Sequence, residues 1–175
     1  MPTGLPFHPT LGILQAARTL IEGLQLPDAS GPLFQAVKLY DSADIDKAFA
    51  DTLVSREQRI CFIIPGRTDY VREVDGRTMV IRKYVEFACL ICDTDRLTGV
   101  DAVFGGANNT GTIALADLLV EALSGEHLGF HNVCLEPDGG DEMSVTKEGD
   151  SDPGRKGWFQ SFRTAAGKKG VGIYG

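Results

Sequence analysis

Thr78-Met79-Val80-Ile81-Arg82-Lys83-Tyr84-Val85-Glu86-Phe87-Ala88-Cys89-Leu90-Ile91-Cys92 runs fifteen residues without a glycine or a proline. Met79, Ile81, Val85, Phe87, Cys89 and Ile91 share one parity, and Arg82, Tyr84 and Glu86 share the other. That is the period-two pattern of a strand with one apolar face. At ~3.3 Å per residue such a strand is about 50 Å long, two or more times the usual length. The sheet of a small domain cannot cover all of it. Its first half is therefore expected to project as a hairpin arm, with edges open to another chain. A bend near Lys83, giving two ordinary strands, is the alternative.

Working outward, Asp75-Gly76 suits the tight turn of that hairpin, because both central residues need positive φ. Before it, residues 59–64 form a nearly continuous apolar run, short enough for a buried strand and ended by Pro65-Gly66. A first helix is predicted after Pro9 with Thr10 as cap, Ile13, Leu14, Ala17, Ile21 and Leu24 recurring at helical spacing, and Pro27 just beyond. A strand is expected over 34–40. Ser42 then caps a second helix, striped by Ile45, Ala48, Phe49, Thr52 and Leu53. Residues 93–111 read as a long loop. Thr112 caps an apolar helix over 113–123, with Gly125 in the C′ position. Short strands are expected over 132–136, 143–147 and 158–163. The sum is an α+β fold: a mainly antiparallel sheet, helices packed on one face, and a projecting β-hairpin arm. One domain spans 1–175, with a core at about 10–165 and a basic, glycine-containing tail at 166–175.

The chain has 175 residues, 43% apolar and 23% charged, which is ordinary globular usage and argues against wholesale disorder. No stretch approaches the ~20 apolar residues of a membrane helix, and the N-terminus shows no secretion signal. A cytosol-like compartment is the expectation, and no membrane partner is expected. The net charge of −7 disfavours a dedicated nucleic-acid binder. Residues 136–152 hold seven acids (Glu136, Asp138, Asp141, Glu142, Glu148, Asp150, Asp152) against Lys147 alone. Residues 154–175 hold Arg155, Lys156, Arg163, Lys168 and Lys169 and no acid. These are either two solvated patches or complementary surfaces that set register between identical subunits.

Each candidate for chemistry falls short for its own reason. Cys89 and Cys92 of a Cys-x-x-Cys pair point to opposite faces of a strand, which is wrong for a shared metal. His127 and His131 lie too far along the chain to complete a compact zinc finger. Cys61, Cys89, Cys92 and Cys134 read as small core hydrophobes in a reducing compartment, not as disulfides. Gly105-Gly106-Ala107-Asn108-Asn109-Thr110-Gly111-Thr112 precedes a helix but lacks the lysine of a phosphate loop. Glu136-Pro137-Asp138-Gly139-Gly140-Asp141-Glu142 lacks calcium-loop spacing and reads as a hairpin turn. No nucleophile, base and orienting group assemble, so no catalytic, cofactor-binding or metal-binding residue is assigned and a non-enzymatic role is expected.

The order and character of the elements resemble the tail terminator family of long-tailed bacteriophages. The resemblance is carried by Arg59-Ile60-Cys61-Phe62-Ile63-Ile64-Pro65-Gly66, a charged loop with Gly76-Arg77, and Val85-Glu86-Phe87-Ala88-Cys89-Leu90-Ile91-Cys92. Next come the segment 95–101, an apolar helix over 113–123, and the aromatic Gly157-Trp158-Phe159-Gln160-Ser161-Phe162. It covers residues 10–165 as a pattern without an invariant signature, and the loop 104–111 and the tail 164–175 exceed it. The resemblance implies a homohexameric ring in the virion tail, near the head–tail junction, assembled in the host cytoplasm. Its partners would be further copies of itself, the tail tube protein and the neck or head-completion proteins, with DNA only passing through the channel. Arg67, Arg72, Arg77 and Arg82 are then the candidates for contacts made by the arm, and Arg155 and Lys156 for a basic subunit contact. Another neck or tail-tube component, or a ligand-binding or enzymatic domain, are the alternatives.

Overall fold

In the computed structural model the long strand is the spine of the molecule. The structure describes residues 7–40, 59–75, 78–93, 104–105, 110–145 and 155–172. Among the described residues the elements are α1 (Thr10–Glu22), β1 (Ala36–Leu39), β2 (Ile60–Asp75), β3 (Thr78–Cys92), α2 (Thr112–Leu123), β4 (Leu135–Val145) and β5 (Arg155–Gly172). Five strands form one sheet in the order β1-β2-β3-β5-β4. β1 runs parallel to β2, and the other pairings are antiparallel. The α+β architecture with a mostly antiparallel sheet is as the alternation predicts. The expected helix from Ser42, the Gly76-Arg77 turn and most of the loop after Asp93 lie outside the described residues.

The main core lies between the sheet and the two helices. Leu14, Ala17 and Ile21 of α1 and Leu115, Ala116, Leu119 and Leu123 of α2 pack on Cys61, Ile63, Phe87, Cys89, Ile91, Leu135 and Phe162. Phe87 and Phe162 are cross-strand partners and stack with ring centroids 5.5 Å apart. Such a pair adds about 0.5–1.5 kcal/mol to the burial of both rings. The other face of the same strands buries Tyr40, Ile60, Phe62, Ile64, Leu90 and Cys92. Burial on both faces explains why β2 begins, and β3 ends, as a continuous apolar run instead of an alternating one.

Several expectations need correction. Pro65-Gly66 does not end β2, because the register shifts there and the strand continues to Asp75. A β-bulge sits at this point, and a Cβ on Gly66 would lie 2.8 Å from the Glu86 carbonyl oxygen, so only glycine lets the strands stay paired. Asp138-Gly139-Gly140-Asp141 is no hairpin turn. It is a second bulge inside β4, with Gly139 at φ 101° and Gly140 against Gln160 and Trp158. The strands expected at 132–136 and 143–147 are therefore one strand. The expected tail is the largest miss: β5 runs on to Gly172, passing a third bulge where Ala166 is fully buried and Gly167 takes φ 109°. Neither threonine caps its helix. Pro9 and Gly111 hold the N-cap positions without side-chain caps, and Gly111 N–H donates instead to the buried carboxylate of Asp93, at 2.8 Å.

Candidate protein-interaction surface on the sheet extension

β3 is one strand through Lys83, not two. It pairs with β2 from Cys92 to Thr78, past the bulge at Pro65-Gly66, and with β5 on its other side out to Gly172, past the bulge opposite Lys83. The part of the sheet beyond the helix-covered core is thus a three-stranded extension of β2, β3 and β5, where a two-stranded hairpin was expected. β1 flanks β2 only from Ile60 to Ile63, and β4 flanks β5 only as far as Thr164. Among the described residues, no strand pairs with the outer edge of β2 or of β5 in the extension. Unpaired strand edges carry rows of N–H and C=O groups that accept another chain.

The bulge in β2 decides what each face of the extension presents. Thr68, Tyr70, Arg72 and Val74 come opposite Val85, Lys83, Ile81 and Met79, on the side that carries α1. Tyr70 is 56% and Val74 69% exposed, so this side offers apolar surface to solvent. The other side is charged. Arg82 Nε donates to Glu73 at 2.9 Å, and the Arg163 guanidinium lies 4.7 Å over the Tyr84 ring, with Glu86 3.6 Å from it. The hydrogen bond that Arg82 donates to Glu73, with the charge of that carboxylate, raises the Arg82 pKa above its already high ordinary value.

Residues 7–9 cross the base of the extension. His8 N–H donates to the Ala166 carbonyl at 2.9 Å, and Phe7 meets Tyr70 edge-on. Lys83 would be out of place on an apolar face, but its ammonium donates to the His8 carbonyl at 2.8 Å. Only 6% of that residue is exposed, and burial lowers its pKa from the ordinary lysine value. The His8 ring bonds the His131 carbonyl at 2.9 Å and leans on Phe130.

Of the sequence candidates, Arg67, Arg72 and Arg82 sit together on the extension. Arg67 is 74% exposed and ion-paired with Asp69 at the bulge. Arg72 is exposed on the apolar side, and Arg82 is on the charged side. Arg77 lies outside the described residues. Arg155 and Lys156 are at the opposite end of β5, paired with Val145 and Ser144, so the structure does not bring them to the arm. Sequence reading missed Tyr70 and Val74, and it placed Lys168 and Lys169 in a tail and not on the extension. The signal was the alternation Tyr70, Arg72, Val74, which reads as a charged loop once a strand is taken to stop at Pro65.

Cys61, Cys89 and Cys92 are buried and unbridged, and Cys134 is exposed. Cys61 and Cys89 share the helix side of the sheet while Cys92 faces the other way. The hydrogen bond with Cys89, reinforced by burial, holds the Cys61 thiol well above the ordinary range and therefore protonated. His127 Nδ1 is in hydrogen-bond contact with the Val133 carbonyl. Among the described residues no three His, Cys, Asp or Glu side chains gather as a metal site. The α2 N-terminus, where a phosphate loop would hold its anion, faces the protein's own Asp93. A shallow cleft of about 310 Å³ between the end of α1 and α2 is lined by Leu24, Pro27, Leu33, Leu118 and Glu121. No helix among the described residues is long and apolar enough to cross a membrane. The chain matches no protein-family model and no curated protein sequence.

Proposed function

We propose that this chain is a tail terminator of a long-tailed bacteriophage, a structural protein that forms a ring on the finished tail tube and ends its polymerisation. One observation carries the reading: three strands run past the helix-covered core and end in two edges that are open among the described residues. A ring built from head-to-tail contacts needs two different surfaces on each subunit. The β2 edge with Arg67 and Arg72, and the opposite margin of the sheet with Glu136, Asp138, Asp141 and Glu142, are suited to that role. The order of elements over residues 10–165 supports the same family. A net charge of −7 suits a channel through which DNA slides without adhering. The sheet face opposite the tube would then meet the neck proteins, and six copies would close the ring.

The test is assembly. Tube protein is polymerised with and without this chain, and the particles are imaged by electron microscopy. Capped tubes of limited length, with closed rings of the free protein at high concentration, are the expected result. A strict monomer that leaves tube growth untouched would sink the proposal. Open-ended polymerisation of this chain on its own would instead make it a tube component.

A further inference from the structure

We propose that the open edge of β5 over residues 168–172 is an acceptor for an extended, acidic segment of another protein, bound as an added strand. The inference goes beyond the ring reading and stands or falls separately from it. β4 leaves β5 at Thr164 while β3 follows β5 to Gly172, so this stretch is paired on one side and open on the other among the described residues. Where the gap opens, the Ala166 carbonyl accepts a single hydrogen bond from His8 N–H, in a segment whose Phe7 meets Tyr70 on β2.

Charge selects the occupant. Lys168 and Lys169 are both exposed, point to opposite faces, and make no ion pair among the described residues. Arg72 lies two strands away in the same cross-strand row as Ile81 and Lys169, makes no ion pair among the described residues, and adds positive charge to that face. Between Thr164 and Gly172 there is no acidic residue. Side chains of an added strand alternate between faces, so acids on one face would meet Lys169, and acids on the other would meet Lys168. Gly170 and Gly172 place no side chain over this edge, and glycine in a strand often marks where another backbone comes close. A nucleic acid is less well served. The cations here are few, and the nearby Tyr70 ring is already engaged by Phe7 and offers no stacking row.

The probe is a fluorescent peptide of about eight residues alternating glutamate and valine, titrated with the full chain and followed by anisotropy. Saturable binding is expected, weakening roughly tenfold or more between low and ~0.5 M salt. It should vanish in K168E/K169E, whose unchanged circular dichroism and melting temperature would show that folding survives. The amides of residues 168–172 should gain protection from hydrogen exchange. A peptide of the same charge with alternate amides N-methylated should not bind, which separates strand addition from simple charge attraction. Equal binding of the methylated peptide overturns the proposal, as does no binding of either. Tighter binding of a single-stranded oligonucleotide that K168E/K169E abolishes would assign the edge to nucleic acid. A dimer of the free chain that dissociates in K168E/K169E would assign it to a second copy, whose β4 carries Glu136, Asp138, Asp141 and Glu142. Tube capping that survives in K168E/K169E leaves the ring reading intact, whatever the peptide does.

Discussion

Asp93 has none of its surface in contact with solvent, yet it is a carboxylate one residue past the end of β3. Its position makes sense through Gly111, whose N–H it accepts at the start of α2. An anion there also meets the positive end of the helix dipole. Asp93→Ala leaves that buried donor unsatisfied and is expected to cost about 1–3 kcal/mol, read as a lower urea midpoint at unchanged slope. Lys83 makes the opposite case, a cation kept on an apolar face by a single carbonyl. Burial weakens its hold on the proton in the folded chain, so its pKa lies below the ordinary 10.5. Below the lowered value both folded and unfolded chains are protonated and the burial penalty acts in full. As pH rises toward 10.5 the folded chain sheds the proton first and the penalty fades. Wild-type stability should therefore climb with pH through the window just under 10.5, relative to Lys83→Met. Urea titrations of both proteins across that window check it; parallel profiles would contradict it. Neither residue's role was legible in the sequence, because each depends on a partner far along the chain.

At the scale of elements, the sequence showed strands wherever apolar and polar residues alternate without glycine or proline. It misled wherever glycine and proline fall inside a strand. Pro65-Gly66, Gly139-Gly140 and Gly167 all read as punctuation, and all three are bulges. The difference between a turn and a bulge lies in the neighbouring strand, such as the Glu86 carbonyl pressed against Gly66, and period analysis of one segment cannot see it. β5 is where this matters most. Ala166 packs with Ile13 and Val85 in a small cluster at the base of the extension, so residues beyond Thr164 are structural. Cutting the chain after Thr164 should strip β3 of its partner from Tyr84 to Thr78 and leave a long exposed edge. The expected outcome is a melting temperature lowered by several degrees and aggregation visible by light scattering. A dispensable tail would give neither.

For the molecule as a whole, fold class and the placement of α1 and α2 were legible because they follow from apolar area, which periodicity reports directly. The candidate surface was legible only in outline. The excess length of β3 announced a projection, but its third strand, its apolar side and Lys168 and Lys169 come from pairings across the chain. Those pairings also link the core to the extension. Phe87 and Phe162 join β3 and β5 under both helices, and the same two strands continue outward together. Urea unfolding followed by Trp158 fluorescence and by circular dichroism should accordingly give one coincident transition. Two separated transitions would show the extension melting by itself.

The place of β5 between β3 and β4 has a consequence for the chain during its synthesis. Thr78 waits for Gly172, and an inner position of the sheet is filled last. At a ribosomal pace of roughly 5–20 residues per second, β3 is left with one bare flank for on the order of 5–20 s. In a cell making many copies at once, that interval sets how much chaperone cover the nascent protein requires.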